Sequence, residues 1–583
     1  MAGRFEYSLD KFYGLNYTKD ETKPGESSDM VNFSITPSFS LKKRRGYSVL
    51  CPHSLGGRGI WSGELSGKES VVFVEGKNVW LYEDGKEKLL GELESSEGKV
   101  EFLLFSKKLY ILDGVKIKVC DREKISDIEP YRPLVVISTT PDGRGVAFEE
   151  KNLITGKMRQ TFTMNGTTNK LQLALKDLDS IDYVKVDGVE TNEYSFSQND
   201  LKNGIVYIYD TYKNHPTDNG IEVGFTKSDG REGEVHRMRG AAVFGGENDT
   251  RVFLYSDPER ADIIRWSGIH NGVMGLEYMP ENSFNKLGTK TEITSVIRHY
   301  DRLLVFCRGE SFYSYIEMQK NEEGKEYASF PIRPLSDTVG SSVRGFVRFI
   351  DGAPVSFDNG TLYLWKSTAI RDERYAVDIG KRVKDGFVGW DMREVFSWDN
   401  DTSKELFICH GDEIYVYNYG LDLYYFWKGI KACGFASVNN SQILFVREDG
   451  SLCRLFDSGL DDKESICASW SSGYLKVAPG YKNLHRLSLE VFPEYKTLSD
   501  LFWISDHSER GQKSFASRYS RLTFPSLDFS LFGFYTGVSP RKLTMRLRHK
   551  RFDKIKLRLE NTHRDSNLHV ESITLSGVVC DKK

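Results

Sequence analysis

The stretch ELFICHGDEIYVYNY, residues 405–419, decides how the rest of the chain is read. Four apolar residues, a short Gly-Asp break and a second run rich in aromatics describe a tight hairpin. Apolar and aromatic side chains suit an extended backbone, and glycine adopts the dihedral angles that a two-residue turn demands. The pattern recurs as VVFVEGKNVWLYEDG from Val71, LLFSKKLYILDG from Leu103, LLVFCRGESFYSYIE from Leu303, APVSFDNGTLYLWKS from Ala353 and QILFVREDGSLCRLFD from Gln442. The hairpins that begin at residues 303, 353, 405 and 442 are spaced as the four-stranded blades of a β-propeller would be.

Composition agrees with that reading. Of 583 residues, 13% are aromatic and 52 are glycine, which favours short strands joined by many turns. The expected fold is mostly β: a propeller of six or seven blades over residues 51–146 and 233–462, interrupted by an inserted β-sandwich at 147–232. The interruption follows DREKISDIEPYRPLVVISTTPDGRG, where Pro130, Pro133 and Pro141 give extended linker chemistry, and it contains short alternating runs with Asn-Gly and Asp-Gly turns. Insertions into surface loops cost little entropy, so the repeat tolerates one here.

Beyond residue 463 the texture changes to longer strands of period two. In RKLTMRLRHK, Leu543, Met545 and Leu547 fall on one face, and Thr544, Arg546, Arg548 and Lys550 on the other. One dry face and one wet face predict a C-terminal β-sandwich over 463–583, with Arg546, Arg548 and Lys550 as candidate interaction residues.

The 80 cations and 83 anions leave a net charge of −3, so no global field draws the chain to nucleic acid or to an anionic membrane. No apolar run is long enough for a membrane helix, and MAGRFEYSLDKFYG lacks the apolar core of a signal peptide. Synthesis in a cytoplasm is expected. The eight cysteines are scattered without a CxxC, the usage of buried free thiols. No P-loop, dinucleotide fingerprint, GxSxG or HExxH is present, and the expectation is no catalytic, cofactor-binding or metal-binding residue.

Two motifs support rival readings. DNDTSKE, residues 399–405, has oxygen ligands at alternating positions, but it lacks the glycine and the terminal glutamate of a calcium loop. Ser356-x-Asp358-x-Gly360 resembles the Asp-box turn of glycosidase propellers. The alternatives carried forward are a propeller glycosidase or glycan-binding surface protein, and a tail-fibre adaptor.

Residues 1–50 form an N-terminal strand and docking segment that ends in LKKRRGY. Strand geometry predicts Lys42 and Arg44 on one face and Lys43 and Arg45 on the other, with Tyr47 packing inward and the cations meeting an acidic neighbour. These five residues are further candidate interaction residues, in a docking or blade-closing element.

DMVNFSITPSFSLKKRRGYSVL, the later stretch around Phe244, Gly245, Gly246, Asn248, Asp249, Arg251 and Val252, and the run with Trp470, Ser472 and Gly473 together resemble a family. It comprises the tail hub or nozzle proteins, also termed packaged-DNA stabilisation proteins, of short-tailed bacteriophages. Arg45 stands where that family usually has proline. The resemblance implies a non-enzymatic virion protein in the phage tail, made in the host bacterial cytoplasm and assembled as a homo-oligomer, expected to be a hexameric ring. It also implies portal and head-tail adaptor partners, tail fibres or tail-tip proteins beyond, and passive passage of double-stranded DNA.

Overall fold

A computed structural model describes residues 3–18, 23–246, 249–270, 273–289, 291–320, 326–367, 374–439, 441–492, 496–506, 510–518, 540–564 and 566–580. Asn248 of the second family-like stretch lies outside the described residues. The chain is nearly all β, gathered into many small sheets, and among the described residues no helix is long and apolar enough to cross a membrane.

Seven four-stranded antiparallel sheets are found among the described residues. Sheet 1 runs from Gly57–Leu65 to Lys86–Glu92, sheet 2 from Glu101–Phe105 to Ile125–Asp127, and sheet 3 from Gly240–Gly245 to Phe284–Lys286. Sheet 4 runs from Ile293–His299 to Ile332–Ser336, sheet 5 from Arg348–Ile350 to Arg374–Asp378, and sheet 6 from Phe396–Asn400 to Leu423–Lys428. Sheet 7 takes Ala432–Val438, Gln442–Arg447 and Leu452–Ser458 from one part of the chain and its fourth strand, Gly46–Cys51, from a distant one.

The repeated hairpins form the middle of these sheets. Their turns use residues with left-handed backbone: Gly411 sits at φ +55° between paired His410 and Glu413, and Asn359 and Gly360 at +50° and +71° between Asp358 and Thr361. Leu406, Phe407, Ile408 and Cys409 are all buried, so this strand is dry on both faces. That explains why the hairpins appear in sequence as continuous apolar runs.

First strands meet in order around the set. Val100 N donates to Arg58 O at 3.2 Å between sheets 1 and 2, and Gly345 N to Thr294 O at 2.9 Å between sheets 4 and 5. The first strands of sheets 2 and 3, 3 and 4, 5 and 6, and 6 and 7 pack directly, and that of sheet 7 packs on that of sheet 1, where Ser62 Oγ donates to Ser437 O at 2.7 Å.

Between sheets 2 and 3 the chain forms a separate unit. Its six-stranded sheet begins at Leu134–Thr139, upstream of the boundary expected at residue 147, because this strand pairs in parallel with Lys157–Phe162. A three-stranded sheet and a short capped helix, Gln198–Asn203, complete it around its own core of Phe162, Leu171, Val184, Val206, Ile221 and Phe225.

The N-terminal and C-terminal parts of the chain share two further sheets. Arg4–Leu9, Phe33–Ile35 and Leu41–Lys43 join Lys482–Val491, Arg541–Phe552 and His569–Val579 in one. Asp29–Val31 joins Ala468–Ser471, Lys496–Ser505, Arg510–Arg518 and Ile555–Asn561 in the other. Asn32, in left-handed backbone at φ +57°, carries the chain from the second sheet to the first, a conformation asparagine tolerates better than most residues. Phe12 and Trp470 meet edge to face at 5.1 Å inside the core that both sheets share with sheets 5 to 7.

The basic run does not continue as one strand, and this corrects the expected alternation of its faces. One strand ends at Lys43, another in a different sheet begins at Gly46, and the backbone turns between them. Lys43 and Arg44 are therefore both buried, and Lys42 and Arg45 are both exposed. Arg44 Nη1 and Nη2 donate to Asp461 Oδ1 and Oδ2 at 2.8 and 2.5 Å, Nε to Asn32 Oδ1 at 2.8 Å, Nη2 to Lys428 O at 2.8 Å and Nη1 to Arg45 O at 3.2 Å. All five guanidinium donors are used. Gly46 passes so close to the Leu460 carbonyl that a Cβ there would lie 1.9 Å from its oxygen.

Arg44→Met and Asp461→Asn should each lower unfolding stability by about 3–5 kcal/mol, because each leaves a buried partner uncompensated. Denaturant unfolding monitored by tryptophan fluorescence measures this, and a double-mutant cycle should show strong coupling. Additive losses from the two substitutions would mean that the pair does not act as one closure.

Candidate functional site

The first strands of the seven sheets start at the same end of the set, and the residues leading into them share one cavity of about 580 Å³. Gly57, Lys99, Arg239, Glu292, Arg344, Glu394 and Lys431 are the entry residues, one at or shortly before the first strand of each sheet in turn. Arg308 and Arg393 reach the same space from connecting loops. A second cavity of about 210 Å³ shares Lys99, Arg239 and Arg344 with the first and is also lined by Glu101, Arg348, Trp398 and Phe435.

Electrostatics in this space is dominated by cations close to one another. Burial, and after it the neighbouring Arg344, pushes the Lys99 ammonium down to about 8, although Nζ donates to Glu394 O at 3.0 Å and Val395 O at 2.8 Å. Burial also lowers Arg344, with Arg239 adding like-charge repulsion. Glu101 is raised by burial against the pull of Arg348 and Arg344. Bringing cations together in a low-dielectric space costs free energy, so the arrangement is one that a negative charge would relieve.

Residue type alone did not mark Lys99, Arg239 or Arg344 as special. Only their register would have: each immediately precedes the first strand of a repeat or sits in the loop leading into it.

The residues expected from sequence fall in two places, neither of them in this cavity. Lys43 is internal: its ammonium donates to Asn561 Oδ1 at 2.7 Å and Ser566 O at 2.9 Å, and burial lowers it to about 8. Tyr47 packs edge to face on Phe445 at 5.2 Å, and its carbonyl accepts from Asp462 N at 3.0 Å. The exposed pair is Lys42, cross-strand from His569 and Ser34, and Arg45, which donates to Asp457 O at 3.3 Å. Arg546, Arg548 and Lys550 stand exposed on the edge strand Arg541–Phe552, with Arg486 cross-strand from Arg546 on the same face.

The two motifs behind the rival readings are occupied by internal contacts. Asp358 is fully buried and accepts from Gly340 N at 2.8 Å, Gly309 N at 3.1 Å and Ser342 Oγ, tying sheet 5 to the preceding sheet. Trp365 Nε1 donates to Ser356 Oγ at 2.9 Å. In the run 399–405, Asp399 accepts from the Tyr419 hydroxyl at 3.2 Å, Asp401 pairs with Lys404 at 2.7 Å, and Glu405 accepts from Tyr425 and from Ser403. No group of three or more metal-ligating side chains occurs among the described residues. The eight cysteines are free.

No family model matches the chain, and no curated protein matches it. Among solved structures it is similar to an exo-β-1,3-galactanase from Phanerochaete chrysosporium bound to β-1,3-galactotriose. The identity is 8% over 58% of this chain and 81% of that one, and at a TM-score of 0.19 the likeness carries no argument.

Burial raises the Glu405 carboxyl from 4.5 to about 7, and Asp399 from 3.8 to about 6. Between 4.5 and about 7 the folded protein holds a proton on Glu405 that the unfolded chain has lost, so stability falls as pH rises through that window. Glu405→Gln should flatten the slope between about pH 6 and 7, read as the denaturation midpoint across a pH series. A slope identical to that of the parent would remove Glu405 as its source.

Proposed function

We propose that the seven sheets are the blades of one β-propeller, with the inserted unit and the terminal pair of sheets as two β-sandwiches. We further propose that the protein is a structural component of a phage tail hub or nozzle ring. Strand Gly46–Cys51 is then the clasp that fastens the last blade, and sheets closed radially make a stiff wedge.

One observation carries this reading. The residues of the opening stretch on which the family resemblance rests all serve the clasp and the sheets beside it. Asp29 pairs with Arg558 at 2.6 Å, and Leu41 is fully buried. Asn32 accepts from Arg44 and from Lys428 N, both at 2.8 Å, and donates to Cys467 O. Lys43, Arg44, Gly46 and Tyr47 complete the closure as described above. A motif of this kind preserves a scaffold rather than a reaction, which suits a protein whose work is assembly.

In such a ring the subunits meet through surfaces outside the clasp, and sixfold closure needs a heterologous contact. A net charge of −3 suits the wall of a DNA conduit, because counterion-releasing attachment would hold the passing duplex. The exposed basic ridge Arg546, Arg548 and Lys550 is the surface proposed to meet an acidic neighbour, either the next subunit or the adaptor above it.

Electron microscopy of the purified protein, alone and with head-tail adaptor protein, should show sixfold rings. Trimers, or monomers under every condition tried, would overturn the hub reading. Replacing Arg546, Arg548 and Lys550 together with glutamine should leave the unfolding midpoint within about 0.5 kcal/mol, because the three side chains are exposed. The same variant should weaken assembly at least tenfold in sedimentation at low salt, with a smaller effect at high salt.

A further inference from the structure

The entry cavity among the first strands collects charge against the trend of the whole chain. Its lining contains Lys99, Arg239, Arg308, Arg344, Arg393 and Lys431 against three carboxylates, Glu292, Glu394 and Glu448. Two of the cations are already paired: Lys431 with Glu448 at 3.3 Å and Arg393 with Asp391 at 2.7 Å. Arg239, Arg308 and Arg344 donate no side-chain hydrogen bond to a described residue. Arg58, by contrast, lines the second cavity and spends its guanidinium on the carbonyls of Gly76, Ser95, Glu97 and Gly98.

The contrast separates structural arginines from available ones. Arg239 and Arg308 are exposed and Arg344 half-buried, so their guanidinium groups face the open space of the cavity, and like-charge repulsion of Lys99 by Arg344 and of Arg344 by Arg239 outlasts the pull of Glu101 and Glu292 on Arg344. The planar forks of arginine match the paired oxygens of phosphate and carboxylate groups. A volume of about 580 Å³ falls in the range of small-molecule sites and is far too small for a nucleic-acid duplex.

We propose that this cavity binds a small, multiply charged oxyanion, a phosphorylated or polycarboxylated molecule, through Arg344 and Arg239 with Lys99 and Arg308 completing the charge. The ligand bridges entry strands from different sheets and so braces the circuit of first strands from inside. The site stands independently of the proposed role in a phage tail.

Isothermal titration calorimetry with inorganic tripolyphosphate and, separately, with citrate tests the proposal on the full chain. At least one of the two should bind once per chain and raise the melting temperature. Tighter binding of tripolyphosphate assigns a phosphorylated ligand, and tighter binding of citrate a polycarboxylate. Arg344→Gln and Arg239→Gln should each weaken binding at least tenfold. Their unliganded melting temperatures should stay level with the parent or rise, because each substitution relieves repulsion, so weakened binding is separable from misfolding. Arg546→Gln, on the distant edge strand, should leave the affinity unchanged. Absence of binding by both anions would overturn the proposal. So would affinity that Arg344→Gln leaves intact or that a short duplex DNA competes away, since either places the anion on the outer surface.

Discussion

Arg44 and Asp461 hold together two stretches of chain more than four hundred residues apart in sequence, and the arrangement of the sheets depends on that bond. Strand Gly46–Cys51 supplies the outer edge of sheet 7, while the first strand of sheet 1 begins a few residues later at Gly57. Whatever fixes Gly46–Cys51 therefore also fixes sheet 1 beside sheet 7. The bidentate pair is buried, its remaining donors are satisfied by Asn32 and by backbone carbonyls, and Gly46 leaves no room for a side chain against Leu460. A buried pair with complete hydrogen bonding chiefly specifies one register, since well-packed apolar groups can match its net stability.

The same constraint links the clasp to the paired terminal sheets. Asn32 turns the chain from one sheet to the other, and its amide meets Arg44, Lys428 and Cys467, contributed by three different segments. The anchoring of strand Gly46–Cys51 in sheet 7 and the turn between the terminal sheets therefore share one set of hydrogen bonds. The inserted unit differs: its core is a cluster of its own, and besides its two chain connections it is joined to the rest where Lys151 to Leu153 bond to Glu277, Met279 and Glu281.

Rigidity created this way can serve assembly, and it also holds the entry residues of the first strands around one cavity. Lys99, Arg239 and Arg344 are kept near one another by the backbone that leads into the first strands, with Glu101, Glu292 and Glu394 offsetting only part of their repulsion. The ridge at Arg546, Arg548 and Lys550 is built on the opposite principle, with exposed side chains on a pleated surface. One charged region is preorganised around a small volume, and the other is spread along an exposed edge.

From sequence alone, the hairpins of sheets 1, 2 and 4 to 7 were legible, because Leu406 to Cys409 and their counterparts must be dry and Gly411 and Gly360 must turn. Sheet 3 was visible only as a candidate seventh blade from Arg251 to Trp266, since its apolar run is broken by polar loops. The dry-and-wet alternation of Arg541–Phe552 was equally plain, for period two is a local property. The destination of the basic run was not: Lys42 to Arg45 look alike in sequence, and a backbone turn between two sheets decided which pair goes inside. Nor was the entry cavity, whose residues lie on different repeats and share only a position relative to strands not yet placed. Local pattern determined which segments are strands and which faces are apolar, because those depend on neighbours two residues away. Tertiary structure alone decided which charges meet, because electrostatic partners are set by distance in space, and Arg44 lies beside Asp461 only through the placement of the sheets between them.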